Sequence, residues 1–203
     1  MIDITMSITE DMQVYKNRDH KRPSLSNVAT FESNGVYETD IRMNLHTGTH
    51  IDFPLHTLKD GNDSTNHSIL DFIGEAKVFD LTQLSEVITK KDLEPLTIVE
   101  DDFIIFKTSN TTRGNMASDF VYLGEDAAQY LKDKKIRGVG IDALGIERNQ
   151  PGHPTHDILL SSGIIILEGA ALESVVEGVY TLLCLPMKIE GVEALPVRAF
   201  LQA

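Results

Sequence analysis

Residues 45–56 read LHTGTHIDFPLH, which sets His46, His50, Asp52 and His56 at even positions around Gly48 and Pro54. An extended chain sends alternate side chains to one side, so these four polar groups would converge on a common face. A helix would also align His46 with His50, as in the HExxH zinc proteases. Thr-Gly-Thr is poor helical filler, however, Pro54 would break the turn, and the glutamate base of that motif is missing. The stretch therefore predicts a strand or tight loop, with Gly48 permitting a bend that lets the backbone approach a metal. Two imidazoles and a carboxylate suit a divalent ion of borderline softness, zinc or manganese among them, and three protein ligands leave a position for water. A metal brings the pKa of its water toward ~7, which is what a hydrolase needs at neutral pH.

Upstream, Tyr37, Thr39, Ile41, Met43 and Leu45 alternate with Glu38, Asp40, Arg42 and Asn44. That is the period of a half-buried strand running into the histidines. Further β-rich runs fall at 76–81 (AKVFDL), 102–107 (DFIIFK), 138–142 (GVGID), 163–167 (GIIIL), 179–185 (VYTLLCL) and 196–201 (PVRAFL). Segments 84–91 and 125–135 have helix-compatible spacing, and 155–160 suits a short turn of helix. The order is strand-rich at first and alternating later, which predicts an α/β fold: a single domain over 1–203 with a mixed central β-sheet flanked by helices. The polar piece 59–67 (KDGNDSTNH) reads as a long surface loop over or beside a site.

A second cluster lies in HPTHDILLSSGIIILEG, residues 153–169. Glu168 ends an apolar strand. Either it faces solvent there, or it is buried and needs a cation, because an unpaired buried charge is prohibitively costly. His156 precedes that strand and is placed to reach the same centre from a short helix, whereas His153, beside Pro154, reads as a loop residue.

The whole composition narrows the rest. A chain of 203 residues with 41% hydrophobic content is long enough for one substantial core. Its formal net charge of -13 repels phosphate backbones and anionic lipid, which argues against nucleic acid or a membrane surface as partner. No apolar run approaches the ~20 residues that cross a bilayer, and the opening MIDITMSITED carries acids where a secretory signal is basic, so a cytoplasmic protein is expected. Cys184, the single cysteine, sits in TLLCLP and reads as a buried small hydrophobe with no disulfide partner.

The pattern HxGTHxDxPxH, here H-T-G-T-H-I-D-F-P-L-H from His46 to His56, resembles the signature of the cyclase superfamily of metal-dependent hydrolases. The bacterial kynurenine formamidases belong to it, with the isatin hydrolases as relatives. The likeness extends through the opening IDITMSI and the segment from His156 to Glu168 ending in ILEG. It implies His46, His50 and Asp52 as ligands of a first divalent ion, Asp52 and Glu168 as bridges to a second completed by His156, and His56 as the catalytic histidine. It also implies two zinc or manganese ions per subunit and assembly as a homodimer or homotetramer.

The implied reaction is arylformamidase-type hydrolysis of a small-molecule amide, such as N-formylkynurenine, by a metal-bound hydroxide, with His56 moving the protons. An isatin-like lactam is the alternative substrate, and a metal-holding protein without turnover the alternative class. Kynurenine formamidases place a tryptophan in the loop after the first strand, and this chain has none. Its loop MQVYKNRDHKRP offers Tyr15 near that position to stack on a substrate ring, and Arg18 to pair with a substrate carboxylate.

Overall fold

The computed structural model describes residues 1–114 and 116–203. The strands are β1 (Ile2–Asp3), β2 (Ser24–Ala29), β3 (Glu38–Arg42), β4 (His50–Asp52), β5 (Ile73–Leu81), β6 (Val87–Ile88), β7 (Phe103–Thr108), β8 (Tyr122–Leu123), β9 (Gly138–Ile141), β10 (Ile165–Glu168), β11 (Gly178–Pro186) and β12 (Ala194–Gln202). The helices are α1 (Phe31–Asn34), α2 (Lys90–Leu93), α3 (Ser109–Arg113), α4 (Glu125–Lys134) and α5 (Pro154–Ser161). None is long and apolar enough to cross a membrane.

The main sheet runs β1-β12-β11-β5-β7-β9-β10-β4. Strands β5, β7, β9 and β10 are parallel, and β11, β12, β1 and β4 join them antiparallel. The sheet is therefore mixed, as expected. It also curls shut. The first residues of β12 (Ala194 to Pro196) pair with β4 while its later residues pair with β11, so β4 lies against β10 on one side and β12 on the other. This pairing covers the free edge of β4 and of the start of β12, leaving β1 outside the closed ring, and gives a barrel-like interior.

Strand β7 explains the continuous apolar run at 103–106. Phe103 and Ile105 point into the barrel with Ile51, Ala76, Leu167 and Leu182. Ile104 and Phe106 point the other way, against Ala127, Ala128 and Leu131 of α4 and Leu159 and Leu160 of α5. A strand covered on both faces has no reason to alternate. Helix α4 buries Ala127, Ala128 and Leu131, one stripe at helical spacing, with Glu125 and Asp126 in its first turn and Lys132 and Lys134 in its last. That charge order suits the helix dipole. Cys184 is buried in the barrel without a disulfide.

Two expectations are corrected. Segment 84–91 is not a helix: Val87 and Ile88 form β6, which pairs with β8, and helix begins only at Lys90. The β-branched pair favours extended chain, and the Thr89–Asp92 capping box fixes the later helix start. Segment 36–45 forms a strand only over Glu38–Arg42, and it is not half-buried. It pairs with β2 alone as a hairpin outside the main sheet, leaving Leu25, Phe31, Tyr37 and Ile41 exposed. Alternation reports a two-faced ribbon; it does not say that anything covers the apolar face.

Candidate metal centre

The histidine stretch is extended only over His50–Asp52, and it bends at each end. Gly48 takes φ +68°, and Pro54–His56 forms a single 3-10 turn. The bend at Gly48 is the one expected from sequence; a single extended face running from His46 to His56 is not what forms. Gly169, also at φ +68°, packs so closely on this turn that a Cβ there would lie 2.4 Å from the Gly48 carbonyl oxygen. Thr49 Oγ1 ties the segments together, donating to the Gly169 carbonyl at 2.6 Å and accepting from the Met6 N–H at 2.8 Å.

On β4, Ile51 faces the barrel interior, so His50 and Asp52 face the helices. On β10, Leu167 faces the interior and Glu168 the helices, directly opposite His50 in the antiparallel register. Helix α5 brings His156 over the same face from its first turn. Sequence-distant ligands thus meet because strand pairing and a helix N-terminus put them there. His50, Asp52, His156 and Glu168 are all buried, Glu168 at 3% exposure, which settles it as a buried acid.

His46 Nδ1 lies 2.9 Å from Asp52 Oδ1 and 3.2 Å from His50 Nε2, and His50 Nε2 lies 3.4 Å from Asp52 Oδ1. On the other side of Asp52, His156 Nε2 lies 3.4 Å from both Asp52 Oδ2 and Glu168 Oε1, while Glu168 Oε2 lies 3.3 Å from His50 Nε2. Despite these approaches, neither buried oxygen of Asp52 has a hydrogen bond of acceptable geometry. Donor atoms held at about 2.0–2.2 Å from one tetrahedral ion are about 3.3–3.6 Å apart. Four of the six separations, at 3.3–3.4 Å, and the orphaned carboxylate fit ion coordination, while the two that His46 makes are at hydrogen-bond distance. Among the described residues, three groups of donor atoms lie close enough together to share an ion: His46, Asp52 and His56; His50, Asp52 and Glu168; and Glu147, His153 and His156. His50 is also oriented from behind, its Nδ1 lying 2.9 Å from the Gly48 carbonyl, which leaves Nε2 for the centre.

The electrostatics agree. Burial alone would strip the proton from His50, but contacts with Asp52 and Glu168 outweigh it and raise this imidazole to about 10. Burial likewise opposes the charge on His156, and Asp52, Glu147 and Glu168 hold it well above the ordinary range. Burial and the neighbouring Asp52 charge would raise Glu168, yet the His156 and His50 contacts bring it down to about 2. Two protons on imidazoles thus balance the buried acids, in the places where divalent ions would act.

A cavity of ≈ 200 Å³ opens onto this cluster, lined among others by Tyr15, Lys21, His56, Leu144 and Gly145. His56 lies at its exposed side, its ring centroid 4.2 Å from that of His46 and 5.3 Å from that of His156. Desolvation lowers its pKa. Tyr15 lines the cavity, packed against Phe120 at 6.2 Å and lying where any side chain on Gly145 would sit. Arg18 is not brought there: it is exposed after the turn Tyr15–Asn17, and the cation on the cavity wall is Lys21, half-buried 5.4 Å from the Tyr15 ring centroid. The loop 59–67 flanks a different cavity, beside Phe53 and His67. Glu147, 3% exposed beside His156, belongs to no motif in the sequence, although it ends GVGIDALGIE, apolar but for Asp142, much as Glu168 ends IIIL.

The comparisons with known proteins converge on the same grouping. The family model described as "Putative cyclase" matches residues 2–148. A kynurenine formamidase from Bacillus mycoides is 33% identical over 172 residues, spanning 84% of this chain and 82% of that protein. A structure described as a predicted metal-dependent hydrolase from Bacillus stearothermophilus superposes with a TM-score of 0.89 at 46% identity, covering 98% of this chain and 96% of that one. Isatin hydrolase A from Ralstonia solanacearum, at 19% identity, shares the fold with a TM-score of 0.83 over 98% of this chain and 89% of its own. With a buried donor set that fits metal and a match over most of its length, this chain belongs to the cyclase family.

Proposed function

We propose that this protein is a metal-dependent amide hydrolase of aryl formamides, N-formylkynurenine or a close analogue, releasing an aryl amine and formate. The observation that carries the reading is the Asp52 carboxylate, buried without hydrogen bonds among His46, His50, His156 and Glu168, beside a cavity that His46, His156 and Glu168 line. The reading assigns His46, His50 and Asp52 to one zinc or manganese ion and Asp52, Glu168 and His156 to a second. When bound, such ions supply Lewis acidity and a more acidic water.

The chain's own groups do the rest. His56, neutral because desolvation lowers its pKa, accepts a proton on a ring nitrogen as water attacks the formyl carbon, and returns it to the departing amine nitrogen. Tyr15 offers a ring face to the aryl group, and Lys21 a cation to any carboxylate the substrate carries. Leu144 and the bare edge of Gly145 close the wall and limit the water around the scissile bond. The domain spans 1–203, supported by a sheet that takes β1 and β12 from the two ends of the chain. The homodimer or homotetramer implied by the family is supported by the hairpin of β2 and β3, since a two-stranded ribbon is marginal by itself and this one exposes Leu25 and Ile41.

The test is the rate of N-formylkynurenine hydrolysis by protein loaded separately with zinc and manganese, with Asp52→Ala as blank. Metal-dependent turnover lost in the variant is expected. Metal-loaded protein that leaves this substrate untouched but opens an isatin-like lactam would overturn the formamide assignment and keep the amide hydrolase.

A further inference from the structure

Glu147 is a buried acid outside the two ligand sets assigned above, and its ion-pair partners among the described residues are both histidines. Its Oε2 accepts from the backbone N–H of Thr155 at 2.9 Å and of His156 at 3.4 Å, gripping the first turn of α5. Its Oε1 lies 2.5 Å from Nδ1 of the exposed His153 and 3.2 Å from Nδ1 of His156. That second approach does not meet hydrogen-bond geometry, so the buried Nδ1 is left without a hydrogen bond, with Glu147 Oε1 as its ion-pair neighbour. The opposite nitrogen of the same ring, Nε2, faces Asp52 and Glu168 at 3.4 Å. The His156 ring therefore stands between one carboxylate on its Nδ1 edge and two on its Nε2 edge, and no group of donor atoms close enough to share an ion contains both Glu147 and Asp52 among the described residues.

We infer that Glu147 is a positioning residue for the metal centre: it keeps the proton of neutral His156 on Nδ1, and through α5 it aims Nε2 at the ion. The inference rests on the assignment of His156 as a ligand. A carboxylate behind a ligating imidazole fixes its tautomer and raises its basicity, and loss of such a partner weakens metal binding by about 10–100-fold. His153 touches the same oxygen from solvent and is not required for this role.

The experiment compares wild type, Glu147→Gln, Glu147→Asp and His153→Ala by zinc competition against a chromogenic chelator, by the visible absorption of the cobalt-loaded proteins, and by melting of the metal-free proteins. Glu147→Gln should weaken one ion by about 10–100-fold, change the cobalt spectrum and leave the tighter ion in place. Glu147→Asp, which keeps the charge but withdraws it, should fall between, and it serves if the Gln variant does not fold. His153→Ala should match wild type. Wild-type affinity and spectrum in a folded Glu147 variant would overturn the inference. Equal loss in His153→Ala would also overturn it, in favour of a separate ion held by Glu147, His153 and His156. Wild type that binds one ion per subunit would contradict the two-ion assignment while leaving the ratio between variant and wild type to judge Glu147.

Discussion

Loading the metal-free protein with manganese at about pH 7.5 should expel about two protons per subunit, because imidazole must be neutral to ligate. His50 is raised to about 10 and His156 well above its ordinary value, so both rings carry a proton when no ion is present. Asp52 and Glu168 are held low and contribute none. If each ring gives up one proton to its own ion, the apparent affinity for each ion should climb about tenfold per pH unit, or ~1.4 kcal/mol, until that ring titrates, and the product of the two affinities about 100-fold. Calorimetric titrations in two buffers of different ionisation heat give the proton count directly, and repetition across pH gives the slope. The same shifts govern the metal-free fold. His50, raised from 6.5, adds stability that is fully present below 6.5 and lost as pH rises toward 10. Glu168, lowered from 4.5, adds stability that is present above 4.5 and lost as pH falls toward 2. A proton count near zero with a flat affinity profile would refute the reasoning, since it would mean that the buried acids hold no protons on their histidine neighbours.

Three further outcomes follow from named contacts. His56→Ala should keep its metal and lose turnover by about 100-fold or more, the scale of general acid–base catalysis, as read by metal analysis beside single-substrate kinetics; loss of metal would make His56 a ligand instead. Gly169→Ala should lower the melting temperature more than Gly35→Ala. Both sites have φ near +70°, which costs about 1–2 kcal/mol for an L side chain, but only at Gly169 would the new Cβ strike a backbone oxygen, while Gly35 has open space. Equal losses would show that the Gly48 turn yields freely. Lys21→Met should raise KM about tenfold for a carboxylate-bearing formamide and leave N-formylaniline unchanged, the tenfold corresponding to about 1.4 kcal/mol for a charge-assisted contact; parallel changes for both substrates would remove the anion-reading role.

What the sequence disclosed depended on how local the determinant was. The donors His46, His50 and Asp52 fall within seven residues of one another, so their spacing and Gly48 suffice to suggest a centre. Glu168 stood out because a charge at the end of IIIL needs a partner if buried, and the β4–β10 register supplies His50 opposite it. Nothing local told that register, or that β12 would close the sheet on β4. Segment 84–91 has helix-compatible spacing, but the extended preference of Val87 and Ile88 prevails there. Arg18 and Lys21 are three residues apart in one loop, and only the two irregular turns between Tyr15 and Lys21 decide which of them reaches the cavity. Glu147 belonged to no motif, and its role depends on where α5 begins.

The most direct measurement is the metal content of the purified, zinc-equilibrated protein beside that of Asp52→Ala, with both folded by circular dichroism. The central claim is that one buried carboxylate joins both donor sets, so wild type should hold two ions per subunit and the variant should lose both after brief dialysis. A folded Asp52→Ala protein that retains the wild-type metal complement would contradict it.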